Sequence, residues 1–127
     1  MGLTFETEPA GSVSVLRCYG RVTNGKESGA FSRKVAELLP HTHRLTVDLS
    51  QVETIDRDGL GEVVVALMWA QASGCEVKLA APSLRVYQLL ELTNLLEVFE
   101  THATLEEAVL SFRQGTEKTR AAACSAA

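Results

Sequence analysis

The chain has 127 residues, enough for one compact core and too few for two ordinary domains. A formal net charge of -4, with Arg17, Arg21, Lys26, Arg33 and Lys34 scattered rather than clustered, argues against nucleic-acid binding by phosphate neutralisation. The 46% apolar content is low in aromatics and contains no run long enough to span a bilayer, which suits an α/β domain built from Val, Leu and Ala.

The start, Met1 to Glu6, lacks the basic and apolar regions of a secretory signal, and Glu6 stands where a myristoylation motif needs Ser or Thr, so the expected location is the cytoplasm. Thr4 to Thr7 and Val13 to Tyr19 read as two strands of an opening hairpin, turned around Pro9, Ala10 and Gly11. In the second strand Val13, Val15 and Arg17 fall on one face, and Leu16 and Cys18 on the other. Gly20 and Gly25 bracket a loop. Phe31, Val35, Leu38 and Leu39 then recur at helical spacing, and Pro40 ends that helix. The cysteines Cys18, Cys75 and Cys124 have no paired spacing; the first two read as small apolar strand residues.

Residues 44–73 form the centre of the chain. Leu45, Val47 and Leu49 alternate with Thr46 and Asp48 at the period of a strand, and Val52 and Ile55 continue the apolar wall. From Leu60 the period changes: Leu60, Val63, Val64, Leu67 and Met68 predict one buried face of a long helix, which Gly74 ends in a left-handed conformation. Glu76 to Ala80 forms the next strand, and a helical connection between neighbouring strands requires a parallel pair. Pro82 and Ser83 open a helix with Val86, Leu89 and Leu90 on its buried stripe, and Asn94 caps it. Leu96 to Glu100 is expected as a short edge strand. Thr104 and Glu107 have capping-box spacing ahead of a last helix carrying Leu105, Ala108, Val109 and Phe112. The predicted fold is α/β: a mixed sheet of about five strands, parallel at its centre and covered mainly on one face by about four helices. Residues 1–114 are expected as a single domain and 115–127 as a flexible C-terminal tail.

The turn between the central strand and helix holds Asp56, Arg57, Asp58 and Gly59 at the carboxyl end of a strand, where open α/β sheets place their sites. The run Val47-Asp48-Leu49-Ser50, followed by Ile55-Asp56-x-x-Gly59-Leu60-Gly61 and a helix, resembles the STAS domain of bacterial anti-sigma factor antagonists and of sulfate-transporter tails. The likeness runs from about Ser12 to Phe112. It implies that the remaining helices lie on one side of the sheet and that the domain works by binding a partner protein, without catalysis or cofactor. In the antagonists the residue before that glycine is typically a serine that a partner kinase phosphorylates; here it is Asp58, which no serine kinase can modify. The implied partner is an anti-sigma factor or serine kinase of the histidine-kinase-like ATPase type. The alternative is a transporter subunit served by a phosphorylation-independent adaptor, and the reading also allows a homodimer.

The residues themselves support local roles. Asp58 is expected to cap the helix and face the positive end of its dipole, Asp56 to accept backbone N–H groups of the turn, and Arg57 to project as a partner anchor. Asp58, Glu62, Val65 and Trp69 share a stripe beside the buried one. Val65 and Trp69 either pack under neighbouring helices or form the floor of a partner site. Asp56, Arg57, Asp58, Gly59, Glu62, Val65 and Trp69 are therefore the candidate partner-binding residues. Enzymatic readings find little support: Asp56 and Asp58 lack a third carboxylate or lysine for magnesium chemistry, His41 and His43 lack further zinc ligands, and Gly59-Leu60-Gly61 lacks the lysine of a phosphate loop.

Overall fold

A computed structural model describes residues 3–22 and 26–112. The expected tail at 115–127 and Cys124 lie outside the described residues. The elements follow in the order β1 (Leu3–Ala10), β2 (Val13–Val22), α1 (Lys26–Leu38), β3 (Arg44–Ile55), α2 (Arg57–Ala72), β4 (Glu76–Ala80), α3 (Leu84–Leu92) and β5 (Glu100–His102). A further helix, α4, occupies 105–112.

The five strands stand in chain order across one sheet. β1 and β2 are antiparallel, and β2 through β5 are parallel. Strand alternation divides the side chains between two faces. Leu16, Cys18, Leu45, Val47, Leu49, Val77 and Leu79 point to the principal core, with Phe31 and Val35 of α1, Leu60, Val63 and Leu67 of α2, and Val86 and Leu90 of α3. Thr46, Asp48 and Lys78 occupy the alternate positions and are also buried. Burial pushes the Cys18 thiol up to about 12, with Asp48 adding to the shift, and burial pushes the Cys75 thiol up to about 11, consistent with inert core residues.

As expected, helices cover mainly one face of the sheet; the departure is α4, which the resemblance implied would lie on the same side as the others. Three helices cover the principal face, but α4 lies on the other. Lys78 Nζ donates to Ser111 Oγ at 2.7 Å and sits 4.5 Å from the centre of the Phe112 ring, while Val15 borders the same cleft as Leu105 and Val109. Lys78 also pairs with Glu100 Oε2 at 2.9 Å. Further along this face the Arg17 guanidinium bridges three strands, donating to Asp48 Oδ2 at 3.0 Å, Glu6 Oε1 at 3.1 Å and Glu8 Oε1 at 2.8 Å. The hydrogen bond to Asp48, more than the neighbouring acids, raises the Arg17 pKa further above its already high value.

β2 and the edge strand differ from expectation. β2 continues through Gly20, whose φ of 109° is open to glycine, to Val22, so the expected loop begins later; the pairing with β3 shifts register there. The expected strand at 96–100 is a 3-10 turn over Leu95–Glu97, and Phe99 N donates to Leu95 O at 2.9 Å, which holds the segment coiled. The edge strand forms after it, where Lys78 to Ala80 pair with Glu100 to His102. Gly74 and Asn94 adopt left-handed conformations as expected, with φ of 96° and 61°.

Candidate functional site

The candidate turn follows from how β3 meets α2. Asp56 N donates to Val22 O at 3.1 Å, tying the turn to the carboxyl end of β2 as β3 leaves the sheet. Asp56 is extended, at φ -97° and ψ 176°, and its Oδ1 accepts from Gly59 N at 2.6 Å while its carbonyl accepts from Leu60 N at 2.8 Å. It is therefore the helix N-cap, and the expectation that Asp58 plays this part is corrected. The reason lies in the geometry: a cap side chain must be extended to reach the N–H three residues on, whereas Asp58 already lies inside the first turn. Asp58 is exposed there, and its charge still favours the positive end of the helix dipole. Arg57, the first residue of α2, is exposed, as expected for a projecting side chain.

α2 places Gly59, Leu60, Val63, Ala66, Leu67 and Ala70 in the interior. Met68, expected on the buried stripe, is instead 51% exposed, off the edge of the line that Leu60, Val63, Ala66, Leu67 and Ala70 bury. Val65 and Trp69 are 66% and 51% exposed, so of their two readings the structure excludes burial under neighbouring helices. Glu62 is exposed beside them. One flank of α2 thus carries Asp58, Glu62, Val65 and Trp69 in water, with Met68 adjacent.

Next to this flank a groove of about 570 Å³ runs between α2 and the end of α3. Arg57, Leu60, Gly61, Val64 and Val65 form one wall, and Leu92, Thr93 and Leu95 form the other. Leu92 is 81% exposed. The sequence reading missed this second wall. Its trace was there, since Leu92 falls off the Val86, Leu89 and Leu90 stripe, yet the approach of α3 to α2 is tertiary and spacing alone does not show it. Gly61 adds a telling detail: a Cβ at this position would meet nothing within 4 Å, so the chain's own packing does not demand glycine there.

A mixed sheet, parallel from β2 to β5, with a charged strand-to-helix turn at the carboxyl ends of its strands, is the arrangement expected of a STAS domain. The sequence profile described as Mlab, STAS domain matches residues 5–107, and the chain belongs to that family. Solved structures agree on the fold. A proposed anti-sigma factor antagonist from Thermotoga maritima is 27% identical, covering 86% of this chain and 94% of its own, with a TM-score of 0.78. An anti-sigma factor antagonist from Mycobacterium paratuberculosis is 21% identical over 88% of this chain and 95% of its own, with a TM-score of 0.76. A sulfate transporter family protein from Wolinella succinogenes is 15% identical over 84% and 88%, with a TM-score of 0.68. Among the described residues no helix is long and apolar enough to cross a membrane.

Proposed function

We propose that this STAS domain is a non-catalytic, cytoplasmic binding module that engages a partner protein through Asp58, Arg57 and the exposed flank of α2, in the manner of an anti-sigma factor antagonist. The observation that carries the reading is the exposure of Val65, Met68 and Trp69 beside the charged turn. Fully burying a large apolar side chain is worth roughly 1.5–3 kcal/mol, so a helix that leaves three of them half or more in water forgoes stability that a partner would recover. Gly61 fits the same purpose. Glycine inside a helix costs about 0.8–1 kcal/mol relative to alanine, and leaving the groove wall bare admits a partner side chain. Asp56 and Gly59 shape the turn through the cap bond between them.

In this reading Asp58 takes the place of the phosphorylatable serine. A carboxylate brings about one negative charge, against nearly two and three strong acceptor oxygens for phosphoserine, so the partner's surface must tolerate a permanent single charge. The expected partner is an anti-sigma factor or serine kinase of the histidine-kinase-like ATPase type. A second reading, the adaptor subunit of a membrane transporter, is favoured by Asp58 itself, which an adaptor needs for no phosphorylation cycle, and by the likeness to a sulfate transporter family protein. Affinity isolation from source cells followed by mass spectrometry separates the two. Recovery of an ATPase kinase supports the antagonist, and recovery of a transporter subunit supports the adaptor. Asp58→Ser sharpens the distinction, because an antagonist that regains phosphorylation should release its partner, whereas an adaptor's binding should be indifferent.

A further inference from the structure

The other end of the sheet carries a polar cleft that the partner-binding surface does not use. Arg44 begins β3 and Ile55 ends it, so the cleft lies roughly 35 Å along an extended strand from the turn at Asp56. Its volume is about 540 Å³, and its polar walls are Ser12, Ser14, His41, Thr42, His43 and Arg44. Among the described residues no carboxylate lines it.

The backbone at the cleft is held in place. Thr42 is buried, and its Oγ1 donates to Arg44 O at 2.8 Å and accepts from Arg44 N at 3.3 Å. Arg44 Nη1 donates to Ser12 Oγ at 3.1 Å, which steers the guanidinium across the cleft toward the hairpin turn. Arg44 differs in this from the other cations on the strands. Among the described residues Arg17 pairs with Glu6, Glu8 and Asp48, Arg21 with Glu53, and Lys78 with Glu100, whereas no ion pair forms at Arg44. Its register neighbour on β4 is Glu76, yet the guanidinium turns away to a neutral hydroxyl on the opposite side.

A guanidinium held by one nitrogen keeps its remaining N–H groups for a planar or tetrahedral oxyanion, and serine hydroxyls and imidazole nitrogens are suitable further donors. We propose that this cleft binds a small molecule bearing a phosphate-type oxyanion, with Arg44 as the principal anchor and Ser12, Ser14, His41 and His43 around it. The cleft is larger than inorganic phosphate, so an organic substituent fits beside the anion. The same chemistry is offered by a free phosphate ester and by an anionic lipid headgroup, and the experiment distinguishes the two.

The intact, isotope-labelled protein is titrated with inorganic phosphate against sodium chloride at matched ionic strength, following backbone amide shifts. The expected result is saturable movement at 11–14 and 41–44 with phosphate only, weakened about tenfold or more by Arg44→Ala and unchanged by Arg85→Ala, an exposed cation on α3. The dispersion of the same spectra reports whether each variant is folded, and Arg44→Lys, which keeps the charge without the fork, should retain partial binding. Vesicles of phosphatidylglycerol are then compared with vesicles of phosphatidylcholine. Arg44-dependent binding to the anionic vesicles, competed by phosphate, assigns the site to a lipid headgroup; phosphate binding without vesicle binding assigns it to a soluble ester. Absence of saturable shifts beyond the chloride control, or shifts that persist in Arg44→Ala, overturns the proposal.

Discussion

Two aspartates two positions apart divide the work at the start of α2. Asp56 accepts from Gly59 N and closes the first turn, while Asp58 stands in water within the helix dipole's field. Asp56→Ala should therefore destabilise the fold by about 1 kcal/mol, within the usual range of roughly 0.5–2 kcal/mol for a lost cap, and Asp58→Ala by less than about 0.5 kcal/mol. Urea unfolding of both variants measures the difference, and the opposite order would return the cap to Asp58. The sequence made a cap at this turn legible but set it two positions late, at Asp58, because helix starts read from spacing are uncertain by one or two positions. The exposure of Arg57 was easier to read, since an arginine among turn residues at a strand end has little core to enter.

At the scale of the element, α2 serves two masters, the core and the solvent-facing flank. Its buried line of Leu60, Val63, Ala66, Leu67 and Ala70 follows the predicted spacing in part, but Met68 lies outside it. Periodicity reports where apolar residues recur and cannot say which of two adjacent apolar stripes meets the sheet. Gly61→Ala tests the flank without touching the core. It should raise stability by roughly 0.5–1 kcal/mol, through helix propensity alone, and weaken partner binding by filling the groove. Thermal unfolding and a binding titration on the same sample read both effects. α4 was legible as a helix from Thr104 and its apolar spacing, and Glu107 N does donate to Thr104 Oγ1 at 3.1 Å. Its side of the sheet was not legible, because the Lys78 contacts with Ser111 and Phe112 that mark it connect residues 33 and 34 positions apart.

Across the whole molecule, the mixed sheet with parallel strands at its centre was legible because β3 shows the two-residue period of a strand and α1, α2 and α3 each connect two strands. The electrostatics of the second face emerge only in three dimensions. Glu100 gathers Lys78 and His102 at the sheet's edge. Burial pushes its carboxyl up, but the hydrogen bonds from Lys78 and His102 outweigh this and hold the folded group below its ordinary value of 4.5. A carboxyl lowered on folding stabilises the native state above the unfolded value, and that contribution is lost as pH falls through the folded one. Glu100→Gln should accordingly flatten the stability profile below about pH 4.5 and cost no more than about 1 kcal/mol at neutral pH, the partly exposed setting limiting the amplitude. Chemical unfolding of wild type and variant across pH 3 to 7 follows this, and parallel acid limbs would contradict it.

The proposal that α2 and its turn bind a partner is tested most directly by calorimetric titration of the isolated partner into the wild-type chain, Arg57→Ala and Trp69→Ala, with urea unfolding run on each. Trp69 is half exposed, so its loss should change stability by less than about 1 kcal/mol. As a buried anchor in the complex it should cost about 2 kcal/mol or more, roughly a thirtyfold weakening, with a smaller loss for Arg57→Ala. Affinity unchanged in both folded variants would place the partner elsewhere on the domain and contradict the account.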